Sequence, residues 1–171
     1  RHEVIMGILD TAVYGYFALF MVVILAVGFR WHTQRKAPVQ PIAFSHQIHI
    51  GKLNLECLFC HDTADKSYFA GVPSVQKCMS CHQAVRTDTP EIQKLTKYWN
   101  DKEPVPWNRV HRIRVRNHIY FTHKRHIAAG VQCEHCHGQL AAMPRVRQVK
   151  SMKMGFCVSC HGANHAPTDC L

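Results

Sequence analysis

Acidic side chains are scarce in this chain. Its 171 residues hold 11 Asp and Glu against 21 Lys and Arg, a net charge of +10 with His neutral. Such a balance suits nucleic acid, an anionic membrane surface, or the neutralisation of acidic groups that the chain itself carries. Charge of either sign is missing from Thr11 to Phe29, and Val4 to Phe29 is apolar apart from Asp10 and a few Thr, Tyr and Gly. A spanning helix needs about 20 such residues, so residues 4–29 read as a transmembrane anchor. Tyr14 and Tyr16 suit one interface and Trp31 the other; Asp10 reads as an interfacial residue near the helix start. The alternative is a signal peptide, but the run is long for one and Ala26-Val27-Gly28 makes a poor cleavage site. Spare cysteine is missing too. Of nine cysteines, eight fall into paired motifs, which leaves Cys170 alone and excludes a disulfide framework.

Those pairs are four copies of Cys-x-x-Cys-His: Cys57-Leu58-Phe59-Cys60-His61, Cys78-Met79-Ser80-Cys81-His82, Cys133-Glu134-His135-Cys136-His137 and Cys157-Val158-Ser159-Cys160-His161. The pattern attaches c-type haem. The two thiols add across the haem vinyl groups and the histidine binds the iron. Positions i, i+3 and i+4 lie on one face of a helical turn, so both sulfurs and the imidazole meet one macrocycle. Histidine is 14 of 171 residues, so its presence after the second cysteine four times in four has a chance of about one in ten thousand or less. A structural zinc protein would use the cysteine pairs but leaves the four histidines unexplained. With about two propionates per haem, roughly eight negative charges offset much of the basic excess, and no nucleic-acid partner is expected. Outside the anchor about 35 residues serve each haem, too few for a conventional core, so the macrocycles must supply much of the apolar interior. The expected fold is a multihaem cytochrome c, mostly irregular with short α-helices, plus one N-terminal transmembrane helix. Such haem attachment takes place outside the cytoplasm in bacteria. Arg30, Arg35 and Lys36 therefore flank the anchor on its periplasmic side, against the positive-inside tendency.

The chain is internally duplicated. Phe44-Ser45-His46-Gln47-Ile48-His49 precedes Cys57 as Phe121-Thr122-His123-Lys124-Arg125-His126 precedes Cys133. Each repeat, 44–82 and 121–161, runs Phe-(Ser/Thr)-His-x-x-His, a first haem motif, then a second, and is one structural unit. The motif histidines His61, His82, His137 and His161 are the proximal ligands. A second histidine on the other side of an iron leaves an electron carrier, whereas an open position permits small-molecule chemistry. His46, His49, His123 and His126 supply four distal candidates for four haems. His111, His118 and His165 are further candidates, as are Met143, Met152 and Met154, since a methionine ligand raises a haem's potential.

Residues 30–43, with Pro38 and Pro41, read as a linker, and 44–171 as the multihaem domain. Between the repeats, Thr89-Pro90-Glu91 looks like a helix start, and Ile92, Leu95, Tyr98 and Trp99 recur at helical spacing. Glu103-Pro104-Val105-Pro106-Trp107 ends that helix. Arg109, His111, Arg112, Arg114 and Arg116 form a basic stretch, either a solvated face or a clamp for propionates. At the other end, Asp169-Cys170-Leu171 echoes Glu56-Cys57-Leu58, so Cys170 is expected to open a fifth haem motif, with His165, His111 or His118 as its distal ligand.

The pairing of Phe-x-His-x-x-His with a following Cys-x-x-Cys-His resembles class III multihaem cytochromes c. Four longer stretches resemble the membrane-anchored pentahaem cytochrome subunit of bacterial alternative complex III. They are Val72-Pro73-Ser74-Val75-Gln76-Lys77-Cys78-Met79-Ser80-Cys81-His82, the run from Arg86 to Leu95, Pro104-Val105-Pro106-Trp107-Asn108-Arg109-Val110-His111, and Met154-Gly155-Phe156-Cys157. The resemblance implies an electron-transfer subunit without a catalytic site of its own. It would sit in the cytoplasmic membrane with its haem domain on the periplasmic side. The implied partners are polytopic quinol-site membrane subunits, an iron–sulfur/molybdopterin-like subunit, a monohaem cytochrome c and a periplasmic electron acceptor, with menaquinol oxidised by the polytopic partners. Two other readings stay open: a single-anchor tetrahaem quinol dehydrogenase feeding a periplasmic reductase, and a catalytic multihaem reductase with one open iron. Mass spectrometry of the intact subunit counts covalent haems: five bears out the reading of Cys170, and four with this C-terminus removes it.

Overall fold

The computed structural model describes residues 2–113 and 120–169, the side chains of 2–10, 34 and 35 excepted. Arg114, Arg116, His118, Cys170 and the side chain of Asp10 lie outside that set. The chain divides into two units, residues 1–36 and 37–171. The first is a single helix, α1 (His2–Lys36), which continues past Phe29 where the apolar run ends. Within it Thr11–Thr33 is 23 residues long with a mean hydropathy of 2.3, about 35 Å at 1.5 Å per residue against a bilayer core of about 30 Å. Tyr14, Leu19, Phe29 and Trp31 are exposed on different sides of the helix. An all-round apolar surface suits a lipid solvent, and the helix satisfies its own backbone polar groups. A signal sequence meets the same measure of length and composition.

The second unit is helical, without a strand among the described residues. A π-helical turn (Gln47–Lys52) comes first, followed by α2 (Cys57–Cys60), α3 (Val75–His82) and α4 (Pro90–Asn100). After the inter-repeat segment come α5 (His123–Ala128), α6 (Cys133–His137), a 3-10 turn (Leu140–Ala142) and α7 (Met154–Ala163). The Ser74 hydroxyl caps α3 by accepting from the Lys77 N–H at 3.3 Å. Pro90 opens α4, where its missing N–H costs nothing.

These two helices, with Ile42 ahead of the first repeat and Val105 after α4, form the one buried apolar cluster of the described residues: Ile42, Met79, Leu95 and Val105, with Val75, Ile92, Tyr98 and Trp107 among the side chains packed on it. Met79 belongs to a haem motif, yet its side chain turns inward and is 3% exposed. Trp99 stays outside this cluster and lines a groove with Met79 and His82, although its spacing resembles that of the core-facing residues. The segment ahead of the first repeat is bound into this unit. Gln40 accepts from the Asn108 N–H at 2.8 Å and donates to the Asn108 carbonyl at 2.9 Å. The Ala43 N–H donates to Glu91 Oε2 at 2.6 Å. Lys94 bonded to the same carboxylate, and then that N–H, hold Glu91 below the usual carboxylate range.

The two repeats meet where the π-helical turn lies on the 3-10 turn. The Gln47 N–H donates to the Met143 carbonyl at 3.0 Å, and a Cβ on Gly51 would run into the Ala141 carbonyl oxygen. Backbone on both sides leaves no flexible neighbour to yield. Gly51→Ala should therefore destabilise the haem-loaded protein by about 1–3 kcal/mol, the usual cost of overpacking, seen as a lower midpoint in thermal unfolding. Gly130 has open space around its would-be Cβ but a φ of +78°, so Gly130→Ala should cost only the backbone strain, about 1–2 kcal/mol.

Candidate cofactor site: paired histidines beside paired thiols

Each cysteine pair stands on its own short helix, α2, α3, α6 or α7; His82, His137 and His161 lie on the same helix as their thiols, while His61 follows the end of α2 in non-helical backbone. Seven of the eight motif thiols are half-buried and Cys81 is exposed. Three motif imidazoles are held from behind. His61 Nδ1 lies 2.9 Å from the Gly71 carbonyl, His82 Nδ1 lies 3.0 Å from the Val85 carbonyl, and His161 Nδ1 meets the Pro167 carbonyl. An imidazole that donates from Nδ1 carries its free lone pair on Nε2, the arrangement seen where histidine binds a metal.

The duplicated histidine pairs repeat one local geometry. His49 Nδ1 donates to the Ser45 carbonyl at 2.8 Å, and His126 Nδ1 to the Thr122 carbonyl at 2.9 Å. Each acceptor lies four residues earlier, so the first helical turn itself orients the ring. Phe44 stands edge-on to His46 at 4.9 Å, as Phe121 does to His123 at 4.8 Å. Phe44 also stacks on His49 at 4.3 Å, and Phe121 lies over His126 at 4.7 Å. One phenyl ring therefore wedges two imidazoles apart in each repeat. The Nδ1 atoms of His46 and His123 are buried without a hydrogen-bond partner; the His123 ring also engages the Tyr68 backbone.

Rings from the pairs come opposite motif histidines. Centroids are 6.1 Å apart for His49 and His82, 6.1 Å for His126 and His161, and 6.3 Å for His123 and His137. A metal–imidazole bond is about 2 Å long, so two rings on opposite sides of one metal have centroids roughly 6 Å apart. The three separations match that value. His46 completes the set beside His61, whose charge is the foremost among its neighbours. His111 differs. Its ring stands 4.3 Å from that of His137 at 82°, too near to lie on the opposite side of a metal from it, and its Nε2 is buried without a partner.

Burial, and after it the neighbouring imidazoles, lowers His46 and His137 to about 4 and pushes His111 and His123 in the same direction. Neutral imidazole, the form that has a lone pair to give, is thus favoured throughout this cluster. Burial is also the foremost cause that raises the Cys57, Cys60, Cys78 and Cys136 thiols. His165 is exposed beyond α7, in left-handed backbone at φ 52°. Met143 is buried, while Met154 is exposed. The role of His111 at the centre of a histidine cluster has no local sequence signal, because its contacts are with residues of both repeats.

These donors fit a porphyrin iron. Among the described residues no three His, Cys, Asp or Glu side chains converge on one point as a zinc site requires. Three pairs of imidazole rings instead stand 6.1–6.3 Å apart, a spacing that leaves room for a metal, and each pair includes a histidine that directly follows a cysteine pair in the chain. Apolar side chains left exposed by the small core, among them Leu58, Phe59, Val72 and Val158, offer surface for a macrocycle to cover.

Comparison with known proteins agrees. Residues 29–107 match the class III cytochrome c family. The chain is also 31% identical over 126 residues to the menaquinone reductase multihaem cytochrome c subunit of Nitratidesulfovibrio vulgaris (strain Hildenborough), an alignment covering 69% of this chain and 57% of that protein. The chain thus spans little more than half the length of the relative it matches. The ring separations predict different outcomes at the third motif. His123→Ala should open that iron to carbon monoxide, seen as a new difference band in the reduced protein, whereas His111→Ala should leave the iron closed and the band absent.

Proposed function

We propose that this chain, a multihaem cytochrome c of class III, is the electron-relay subunit of a membrane complex that exchanges electrons between menaquinol and a periplasmic acceptor. The observation that carries the reading is the set of imidazole pairs about 6 Å apart, each of which would hold a haem iron through two histidines and so suit it to carrying electrons. Bound c-type haem supplies reversible one-electron exchange; the chain's part is to hold and tune it. His61, His82, His137 and His161 would hold the irons as the motif ligands, with His46, His49, His123 and His126 as their second ligands. Cys57, Cys60, Cys78, Cys81, Cys133, Cys136, Cys157 and Cys160 tether four haems. Backbone carbonyls behind His49, His61, His82, His126 and His161 fix the ring tautomer and raise the basicity of the ligating nitrogen. Such firmly set ligands favour electron transfer, because little need rearrange when the charge changes.

Helix α1 serves as a single-pass anchor with the haem domain on the periplasmic side. One helix makes no quinol pocket, so quinol chemistry belongs to polytopic partners, accompanied by an iron–sulfur/molybdopterin-like subunit and a monohaem cytochrome c, as in alternative complex III. A second reading is favoured by the relative, whose name makes it part of a menaquinone reductase. The same relay then runs the other way, since its direction depends on the potentials at its two ends and not on the ligands.

Purification from membranes tests both. The expected result is a complex with polytopic and iron–sulfur subunits whose oxidised c-type haems are reduced on adding a menaquinol analogue. Reduced haems that are instead reoxidised by menaquinone favour the reductase direction. A subunit isolated alone that binds carbon monoxide strongly and reduces nitrite overturns the relay. Within the complex, His49→Met should move one wave of a potentiometric titration to higher potential, a sizeable part of the about 0.8 V that axial ligands span.

A further inference from the structure

The four motif helices touch one another in a sequence that differs from their order in the chain. The second motif meets the first: Lys77, next to Cys78, stands 4.8 Å over the Phe59 ring inside the first motif and pairs with Asp62 at 3.8 Å. The first meets the third across a groove of about 450 Å³, with Cys57 and Leu58 on one side and Gln132 and Cys133 on the other. The Cys57 and Cys133 thiols are near enough to interact directly. The third meets the fourth: His135, inside the third motif, places Nε2 3.7 Å from Cys160 Sγ, and its ring is 6.4 Å from that of Phe156.

The histidines are arranged in the same way. His61 and His137, the motif histidines of the first and third sites, are electrostatic neighbours and share His46 and His123 around them. His82 and His161, from the second and fourth sites, have their ring contacts with His49 and His126 respectively. Cys81 of the second motif is the one exposed motif thiol among the described residues.

We propose that the four haem-attachment sites stand in space in the order second, first, third, fourth. The repeats then join head to head through Cys57 and Cys133, and the second motif of each repeat, Cys78–His82 and Cys157–His161, forms an outer terminus where redox partners exchange electrons. The inference rests on the haem reading above and adds the route. An electron crossing from one repeat to the other passes between the first and third sites, never directly between the second and third, although those follow each other in the chain. The two ends facing partners are carried by α3 and α7. A disulfide between Cys57 and Cys133 is the rival explanation of their closeness, and it would deprive two sites of a thioether.

The test uses the membrane-purified complex. Mass spectrometry of this subunit comes first: no covalent haem defeats the haem reading itself, and a Cys57–Cys133 disulfide overturns the proposed order alone. Electron cryo-microscopy of the loaded complex then gives the iron positions. The shortest iron–iron separation between repeats is expected for the sites of Cys57 and Cys133; a shorter one between the sites of Cys78 and Cys133, or Cys57 and Cys157, overturns the order. Val131, which lines the central groove, supplies a solution measurement. Val131→Glu should lower two of the four haem potentials, those of the first and third sites, and Val131→Lys should raise the same two. Movement of the third site alone, or of an outer site as much as these, overturns the proposal. A shift of the same sign in both variants marks disrupted packing and overturns the charge argument, while the iron positions still decide the order.

Discussion

An imidazole can bind iron only if its lone pair is free and aimed, and in this protein the backbone does the aiming. Nδ1 of five histidines meets a main-chain carbonyl: Ser45 for His49, Gly71 for His61, Val85 for His82, Thr122 for His126 and Pro167 for His161. Each contact commits Nδ1 as donor and leaves Nε2 as acceptor. The other features of the second unit follow from keeping those carbonyls in place. The turn after α2 brings the Gly71 carbonyl behind His61, and the turn after α3 brings Val85 behind His82. The short helices that open each repeat place an acceptor four residues before the histidine. A side chain could be lost to substitution without moving the main chain, whereas these acceptors persist as long as the local fold does.

The same constraint accounts for the small protein core. Ile42, Met79, Leu95 and Val105 stabilise α3 against α4, but the second repeat has no comparable buried cluster among the described residues. Its helices α5, α6 and α7 are held by turns, by the contact of the 3-10 turn with Gln47–Lys52, and by histidine and phenylalanine rings. So small a core suits a fold in which bound macrocycles would supply the missing apolar burial.

Much of the site is legible in the chain because its chemistry is local. Cysteine, cysteine and histidine fall on one helical turn, and the histidine pairs fall on another, so spacing alone identifies them. The long apolar helix is equally local, a matter of length and absent charge, although its end at Lys36 and the binding of Gln40 and Ala43 into the second unit are not visible as composition. The helix over 90–100 follows from Pro90 and the spacing of Ile92, Leu95 and Tyr98. Met79 and Trp99 do not follow: one lies in a haem motif yet packs inward, and the other has core-like spacing yet lines a groove beside His82. Their positions depend on how α3 crosses α4, and no local pattern encodes that crossing.

The sequence by itself determined the Cys-x-x-Cys-His motifs and the histidine pairs, their duplication, the basic charge balance, and the apolar helix at the N-terminal end. These are properties of residues a few positions apart, set by helical period and side-chain chemistry. Only the tertiary structure decided which rings face each other at 6.1 and 6.3 Å, that His111 stands 4.3 Å from His137 and so cannot lie across an iron from it, and that Cys57 and Cys133 share one groove. Those are relations between segments about 80 residues or fewer apart, brought together by backbone contacts such as that of Gln47 with Met143. Pairing across such distances is chosen by packing of the whole unit, so it becomes readable only once the chain is folded.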